Sequence, residues 1–236
     1  MLLMRMTEPD LYYEKMLWER GLERVAGLDE VGRGSFAGPV VAGAVVFDKS
    51  INIGLTVNRF GEKVVIRDSK RMTVKQRGIA ADWIAKHALE YGIGEVSVDD
   101  INSKGIITAT SSAFRRAAKN LNNKLKTRVE YLLVDAFFVP SIRGYPVGSV
   151  KDNMGQAQAA IPKGDSISFS IAAASIIAKV YRDELMKELS RSDKRYKKYA
   201  WHSNKGYGTK WHRNAIREHG ICEHHRKQFV SKLLNN

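Results

Sequence analysis

Two adjacent acids interrupt an apolar segment near the start of the chain. Asp29 and Glu30 lie within residues 25–31, where every other residue is apolar or glycine. Burying a carboxylate is costly unless it is paired or binds a metal ion, whereas an exposed edge strand leaves both acids in water. Neighbouring strand residues point to opposite faces, so a shared metal ion requires a local twist, which Gly32 permits. A solvated edge and a metal site both remain open from this segment alone.

Two further acids occupy positions that are typical of ligands. Asp135 comes directly after the apolar residues 131–134, at the end of a predicted buried strand. Asp165 precedes a long predicted helix, so it is either a ligand or an ordinary helix N-cap, a role that Ser166 also fits. Four carboxylates without cysteine suit a hard cation such as Mg²⁺ or Mn²⁺. Two such ions about 4 Å apart can clamp the attacking water and the leaving oxygen of a phosphodiester, so the set predicts a metal-dependent nuclease.

Other positions have the residue types of a substrate-binding surface. The sequence Gly32-Arg33-Gly34 lets the backbone approach a ligand closely and offers an arginine to a phosphate, although a plain tight turn has the same residues. Tyr207 lies between glycines and basic residues, where its ring either stacks on a sugar or base or packs between helices. Lys70, in the segment DSK, is a candidate phosphate contact.

The overall charge favours a polyanionic partner. The 236 residues include 39 Lys and Arg against 25 Asp and Glu, which gives a formal net charge of +14. This balance is the usual electrostatic footprint of nucleic-acid binding, although many basic proteins bind nothing specific. Together with the carboxylates, the charge favours a nuclease.

A second possible metal pattern lies near the C-terminal end of the chain. Residues with zinc-ligand chemistry are crowded there: His219, Cys222, His224 and His225. Their spacing matches no common zinc site, so histidines on the surface of a basic tail are the favoured interpretation.

The remaining composition bears on the compartment. The single cysteine, Cys222, excludes an internal disulfide and fits a reducing environment. The first ten residues lack the apolar run of a signal peptide, and residues 167–180 are too short to span a bilayer. We therefore expect a cytoplasmic protein without membrane contact, and nothing in the sequence demands more than a monomer.

Hydrophobic periodicity predicts an α/β fold built on a mixed sheet. Strands are predicted over residues 25–31, 40–47, 64–66, 91–98 and 131–134. Helices are predicted from Thr7, from the capping box of Thr73 and Gln76, from Asp99 to about residue 121, and after Asp165 to about residue 189.

The domain organisation follows from the same pattern. The small apolar run over residues 171–178 predicts a helix that packs closely on the sheet. Further along this helix, Lys179 and Arg182 face either the catalytic edge or solvent. No linker-like segment is evident, so we expect a catalytic domain over residues 1–190 and a helical and loop extension of the same domain over residues 191–236.

Taken together, these segments resemble type 2 ribonuclease H, ribonuclease HII. The resemblance extends from about Val25 to His225-Arg226 and rests on motifs in a fixed order: DEVGRGSFAGPV, DSK, LLVDA, KGD, SIAAASIIAKVYRD and KGYGT. The first motif is specific by itself. The resemblance implies a ribonuclease H-like mixed β-sheet flanked by helices, with a C-terminal helical appendage.

The resemblance also implies an activity and roles for individual residues. The metal-binding catalytic carboxylates would be Asp29, Glu30, Asp135 and Asp165. The loop that detects the 2′-hydroxyl would be Gly32, Arg33 and Gly34, with Tyr207 against the deoxyribose after the RNA–DNA junction. Such enzymes cut RNA–DNA hybrids, and they cut 5′ to single ribonucleotides in duplex DNA, leaving a 3′-hydroxyl and a 5′-phosphate. Backbone groups can bond a 2′-hydroxyl without reading a base, which predicts sequence-independent cutting.

Two departures from the family pattern concern the third and fourth acids. Ala136 stands where the family usually has glycine, and the segment between Asp135 and Asp165 is longer than usual, with an extra stretch near residues 148–158. Asp152 lies inside that stretch and competes with Asp165 as a ligand. The preceding Lys-Gly and the following helix favour Asp165.

Two rival interpretations are disfavoured. A nucleic-acid-binding protein of the same fold that has lost catalysis would not need all four acids. Type 3 ribonuclease H carries an additional N-terminal substrate-binding domain, which the roughly 24 residues before the first strand cannot form. Residues 229–236 contain no convincing sliding-clamp peptide.

Overall fold

The computed structural model describes residues 8–53, 61–140 and 157–234, with a five-stranded mixed sheet at its centre. In sheet order the strands are β3 (Glu90–Val96), β2 (Val40–Val46), β1 (Val25–Val31), β4 (Tyr131–Asp135) and β5 (Gln158–Ile161). The β1–β2 and β2–β3 pairs are antiparallel, whereas β4 is parallel to both β1 and β5. The predicted fold class, a mixed sheet flanked by helices, is confirmed.

The parallel pairing of β1 with β4 brings two of the predicted acids together. Leu28 pairs with Val134, and the next residue of each strand is an aspartate, Asp29 in β1 and Asp135 in β4. Because the carboxyl ends of parallel strands meet at one edge of a sheet, both acids lie at the same edge.

Helices cover both faces of the sheet. Within the described residues they are α1 (Tyr12–Glu19), α2 (Val74–His87), α3 (Val98–Lys104), α4 (Ile106–Lys124), α5 (Phe169–Ser192), α6 (Trp201–Asn204), α7 (Lys210–His219) and α8 (Lys227–Leu234). The predicted capping box of Thr73 and Gln76 begins α2. None of the helices described is long and apolar enough to cross a membrane.

Two apolar layers hold the sheet between α4 and α5. Residues such as Phe114 and Leu121 of α4 are fully buried against one face, and Phe169 and Ile176 of α5 are buried against the other. The small residues predicted to pack closely do so, because a Cβ on Gly43 would lie only 2.4 Å from the Ala174 carbonyl oxygen of α5. This close contact holds the first turns of α5 directly against the middle of β2.

The C-terminal segment, residues 193–234 after α5, adds a third apolar cluster beside the end of this helix. Trp201, Tyr199, Ile216 and Val230 are buried there, together with Met186 of α5. Ala37, in the segment between β1 and β2, belongs to the same cluster. The C-terminal segment is therefore packed against the segment that follows β1.

Several element predictions were wrong in detail. Residues 64–66 form no strand, and β5 was not predicted. The helix expected from Asp99 is capped by Ser97 instead, and Gly105, at φ +79°, divides it into α3 and α4. The first helix begins at Tyr12, and its expected cap, Thr7, lies outside the described residues.

Candidate active site

Three of the predicted acids form one compact cluster. Asp29, Asp135 and Asp165 each offer a carboxylate oxygen, and these oxygens all lie within 4.8 Å of one another. Asp29 and Asp135 come from β1 and β4, while Asp165 lies in a short 3-10 helix, Gly164–Ser166, that leads into α5. Among the residues that the structure describes, this is the one group of potential ligands with such spacing.

The alternative role for Asp165, an N-cap for the long helix, is wrong. Ser168 caps α5, because its hydroxyl accepts a hydrogen bond from the Ile171 N–H. Asp165 is only 6% exposed, and its carboxylate forms an ion pair with Lys70, with 3.4 Å between Lys70 Nζ and Asp165 Oδ2. The competing acid, Asp152, lies outside the described residues.

Glu30 lies beside the cluster and is not part of it. Its side chain makes an ion pair with Arg33 at 3.7 Å and is 14% exposed, whereas the neighbouring Asp29 is fully buried. Burial is the main reason that the pKa of Glu30 is raised to about 7, against the opposing effect of Arg33. Adjacent strand positions therefore reach the same site from different sides, with Glu30 at its polar margin.

The buried Asp29 carboxylate fits a cation ligand. Its Oδ1 accepts a hydrogen bond from the Glu30 N–H at 2.7 Å, whereas its Oδ2 is buried and has no partner of good hydrogen-bond geometry among the described residues, the Ser175 hydroxyl being the one side-chain donor that lowers the pKa of Asp29. Burial, with the charges of Glu30 and Asp135, raises the pKa of Asp29 well above its usual range. A buried acceptor without a donor is costly, and a hard divalent cation would satisfy it.

The third acid is held in place by the backbone. Asp135 Oδ1 accepts a hydrogen bond from the Gly164 N–H at 2.7 Å, which ties the end of β4 to the turn that carries Asp165. Burial and the charge of Asp165 raise the pKa of Asp135. Ala136, where the family pattern favours glycine, has φ +42°, a left-handed conformation that explains the preference for glycine.

A cleft of about 550 Å³ lies beside these acids. All of the predicted site residues except Asp165 line this cleft. Asp165 lies beside it, next to the lining residues Asp29, Asp135 and Lys70. Lys70 has a 70% exposed side chain. Partial burial disfavours its charged form, but the charges of Asp29 and Asp165 outweigh this effect and raise the pKa of Lys70.

The loop Gly32–Gly34 follows β1 directly and turns sharply. Gly32 has φ +87°, and a Cβ there would lie 2.1 Å from Nε of Arg182. A Cβ on Gly34, in contrast, would meet nothing within 4 Å, so this backbone is open to a ligand. Arg33 is exposed and lies over the ring of Phe137, with Cζ 5.7 Å from the ring centre.

Tyr207 is half-buried and lines the same cleft. Two cationic side chains of α5 lie over its ring, with Lys179 Nζ and Arg182 Cζ each 5.5 Å from the ring centre. The ring is not part of the apolar cluster of the C-terminal segment, so the alternative role of filling that core is not supported.

The cleft contains two cations whose position sequence reasoning did not assign. Lys179 makes an ion pair with Asp183 at 2.7 Å, and Arg77 lies 3.5 Å from the same carboxylate. Arg77 also donates to the carbonyl oxygens of Ser69 and Met72, which fixes the turn that presents Lys70. Lys179 had been expected to face either the site or solvent, but no sequence signal identified Arg77.

The zinc alternative finds no support in the C-terminal segment. His225 is buried, not on the surface as expected, and its Nδ1 accepts a hydrogen bond from the Cys222 N–H at 3.0 Å. Its Nε2 lies 3.1 Å from Nε2 of His212, which in turn accepts from the Trp201 indole N–H. These ring nitrogens bond one another and the backbone.

Comparison with known proteins agrees with this geometry. The sequence profile "Ribonuclease HII" matches residues 26–233. Ribonuclease HII of Caldanaerobacter subterraneus subsp. tengcongensis is 42% identical over 94% of this chain and 80% of its own length.

Solved structures show the same fold. The Archaeoglobus fulgidus ribonuclease HII, solved in a complex with PCNA, superposes with a TM-score of 0.62 at 24% identity, covering 90% of this chain and 97% of that one. Bst-RNase HIII in complex with Mn²⁺ gives a TM-score of 0.58 at 18% identity, covering 91% and 71%. The profile match and the 42% identity together show that this chain belongs to the ribonuclease HII family, the metal-dependent endoribonucleases that act on RNA–DNA hybrids.

Proposed function

We propose that this chain cuts the RNA strand of RNA–DNA hybrids and also cuts 5′ to single ribonucleotides embedded in duplex DNA. The products would carry a 3′-hydroxyl and a 5′-phosphate. The observation that carries the proposal is one cleft lined both by the buried Asp29, with its unpartnered oxygen, and by the open Gly34 backbone and Tyr207. A centre suited to phosphodiester cleavage thus lies beside a surface suited to a sugar.

We assign the metal site to the four carboxylates. Asp29, Asp135 and Asp165 would share the ions, and Glu30 would bind from the margin of the cluster. When bound, Mg²⁺ or Mn²⁺ would polarise the scissile phosphate and stabilise charge on the attacking and leaving oxygens. The oxygen-only donor set supports either ion.

The remaining cleft residues would select and orient the substrate. Backbone groups of Gly32–Gly34 would bond the 2′-hydroxyl, which distinguishes RNA from DNA without reading a base. The half-exposed face of the Tyr207 ring would pack on the sugar that follows the junction. Lys70, mostly exposed beside Asp165, would contact a phosphate. Selectivity would therefore come from the sugar and from the backbone.

The decisive experiment uses a DNA duplex that contains one ribonucleotide. The purified chain is incubated with this duplex in Mg²⁺ and, separately, in Mn²⁺, and the product ends are mapped by mass spectrometry. We expect one cut, 5′ to the ribonucleotide, with a 3′-hydroxyl and a 5′-phosphate. An intact duplex under both conditions, alongside cleavage of a continuous hybrid, would overturn the single-ribonucleotide activity.

We also propose that one chain suffices for activity. The loop, Tyr207, Asp29, Glu30 and Asp135 line one cleft of a single copy, and Asp165 lies in the acid cluster beside it. Light scattering during size-exclusion chromatography, with cleavage assayed across the peak, should find activity at the monomer mass. Activity confined to a larger species would contradict this.

A further inference from the structure

Two arginines are completely buried beneath the loops that line the cleft. Arg182 of α5 and Arg226, just before α8, are both 0% exposed. Among the described residues neither guanidinium has a carboxylate at ion-pair distance; backbone carbonyl oxygens surround them instead. Burial of a charge without a counter-ion is costly, so this arrangement calls for a specific role.

Arg182 joins the segment after β1 to the segment that carries Tyr207. Its Nε donates to the Pro39 carbonyl at 2.9 Å, and its Nη2 donates to the Ala37 carbonyl at 3.1 Å. Its Nη1 donates to the Lys205 carbonyl at 2.9 Å, two residues before Tyr207. One planar side chain therefore sets the distance between two separate stretches of backbone.

Arg226 joins the Gly32–Gly34 loop to the C-terminal segment. Its Nη1 donates to the carbonyl of Arg33, in the centre of the loop, at 2.9 Å. Its Nε and Nη2 both donate to the Gly38 carbonyl, at 2.9 and 2.8 Å, and its own N–H donates to the Phe36 carbonyl at 2.8 Å. The backbone from residue 33 to residue 38 is thus bonded at three carbonyls by one residue.

Backbone bonds close the connection between these stretches. Phe36 N–H donates to the Gly206 carbonyl at 2.8 Å, and Gly38 N–H donates to the His224 carbonyl at 2.9 Å. Residues 33–39, 205–207 and 224–226 consequently form one bonded unit around the two guanidiniums. Displacing one stretch moves the others.

We propose that Arg226, together with Arg182, is a positioning residue that fixes the Gly32–Gly34 loop relative to Tyr207, so that the C-terminal segment controls selection of a single ribonucleotide. The inference rests on the proposed function, because it takes this loop and Tyr207 as the two substrate contacts. A duplex with one ribonucleotide can be bound in only one position, in which the ribose lies at the Gly32–Gly34 loop and the next sugar lies at Tyr207. A continuous hybrid offers many registers and tolerates a misplaced loop better.

Lysine is the informative substitution at position 226. Burial lowers the pKa of Arg226 to about 9, so the arginine remains charged at neutral pH. Arg226→Lys keeps the charge but loses the planar fork that reaches Arg33 and Gly38 together. The loop should shift slightly without losing the acid cluster, which comes from other elements.

The test compares cleavage of a single-ribonucleotide duplex with cleavage of a continuous hybrid. For Arg226→Lys we expect kcat on the single-ribonucleotide duplex to fall about tenfold or more, since small misplacements of contacts are costly in rate, with KM nearly unchanged. The ratio of the two rates should fall by about fivefold. The Mg²⁺-induced rise in melting temperature should stay at the wild-type value.

A second variant acts on the same unit without touching a buried arginine. Asn102 of α3 donates to the His225 carbonyl at 3.2 Å, and its side chain accepts from the Lys227 N–H at 2.9 Å. Asn102→Ala should lower the rate ratio in the same direction by a smaller factor. The Asn102→Ala variant therefore tests the same unit if Arg226→Lys does not fold.

The control removes a partly buried hydrogen bond of the C-terminal segment that is not part of this unit. Tyr199→Phe loses the bond to the Gly220 carbonyl at 3.0 Å and should lower the melting temperature without changing the rate ratio. A ratio that stays at the wild-type value in both Arg226→Lys and Asn102→Ala would overturn the inference. Failure of the wild type itself to cut the single-ribonucleotide duplex would instead contradict the proposed function.

Discussion

Two parts of the site bury charge and stabilise it differently. The acidic side is the cluster of Asp29, Asp135 and Asp165, and the loop side is the unit of residues 33–39, 205–207 and 224–226 around the two arginines. On the acidic side, Asp29 has a buried oxygen without a partner, and burial raises the pKa of Asp29 well above its usual range. On the loop side, all three side-chain nitrogens of Arg182 and of Arg226 donate to carbonyl oxygens. The first region therefore leaves an acceptor for a ligand from outside the chain, whereas the side-chain nitrogens of the second are all bonded within the chain.

This difference separates two kinds of functional structure. The acid cluster is destabilising without a bound cation, because its carboxylates repel one another in a poorly solvated place. The arginine-bonded loops are stable before any ligand binds, so their geometry is ready for the substrate. The comparison predicts that changes on the acidic side alter stability and metal binding together, whereas changes on the loop side alter substrate use without altering metal binding.

The largest expected effect comes from Asp29→Asn. Cleavage should fall about a thousandfold or more, because bound metal ions contribute several kcal/mol to the reaction. The metal-free variant should also melt at a higher temperature than the wild type, since a buried charge has been removed. Rate assays and thermal melts in chelator, with and without Mg²⁺, measure both quantities.

Duplex binding and a change at an acid outside the cluster provide the controls. Asp29→Asn should bind the hybrid about as well as the wild type, because basic residues elsewhere hold the phosphates. Asp100→Asn, at a partly exposed acid that pairs with Lys104, should leave both cleavage and the Mg²⁺ effect unchanged. A lower melting temperature for metal-free Asp29→Asn would contradict the view that the acidic side is incomplete.

The next effect, on the loop side, comes from Tyr207→Ala. Stacking on an aromatic ring contributes about 1–3 kcal/mol per contact, so cleavage of the single-ribonucleotide duplex should fall about 5- to 150-fold. The Mg²⁺-induced stabilisation should not change, because the ring lies against Lys179 and Arg182 and the acid cluster is formed by other residues. Cleavage kinetics and thermal melts of the same preparation measure the two effects. Equal loss of both would show that Tyr207 is structural.

The sequence singled out most of the site because its residue types were unusual for their surroundings. Acids within or directly after apolar segments identified Asp29, Glu30 and Asp135, and the structure brings Asp29 and Asp135 together through the β1–β4 pairing. It could not show that Glu30 stands outside the cluster, because that depends on which side of β1 each side chain leaves.

Other features were beyond prediction from sequence because they depend on contacts between distant segments. Arg226 bonds Arg33 across 193 positions, and nothing near either residue indicates this. β5 is only four residues long and lies after the unusually long segment, so it had no periodicity to detect. The strands β1 and β2, in contrast, are nearly continuous apolar runs, and their positions were correct to within one residue.

Acid should affect the two regions with opposite signs. Burial, followed by the charge of His212, lowers the pKa of His225 to about 3, so the unfolded chain binds a proton there more readily. Stability from this group is therefore lost as the pH falls below about 6.5, by up to about 1.4 kcal/mol per pH unit. The raised pKa of Asp135 acts in the opposite direction, since the folded state then binds the extra proton.

Substitution of His225 isolates this contribution. His225→Asn removes the titrating ring and should weaken the loss of stability between pH 6.5 and 5 in metal-free urea titrations. His202→Asn, at an exposed histidine, is the matched control and should follow the wild type. Identical pH slopes for His225→Asn and the wild type would show that the buried histidine does not contribute.

The smallest effect should come from Lys70→Gln, and its sign is informative. Lys70 Nζ lies 3.4 Å from Asp165 but is mostly exposed, so solvent screens the pair and the folded state should lose less than about 1 kcal/mol. Removing this cation also removes its repulsion of an incoming Mg²⁺, so metal affinity should rise by a factor of about two to five. KM for the hybrid should increase if Lys70 also holds a phosphate. Calorimetric Mg²⁺ titration gives the sign directly: weaker binding would mean that Lys70 supports the acid cluster and does not merely neutralise it.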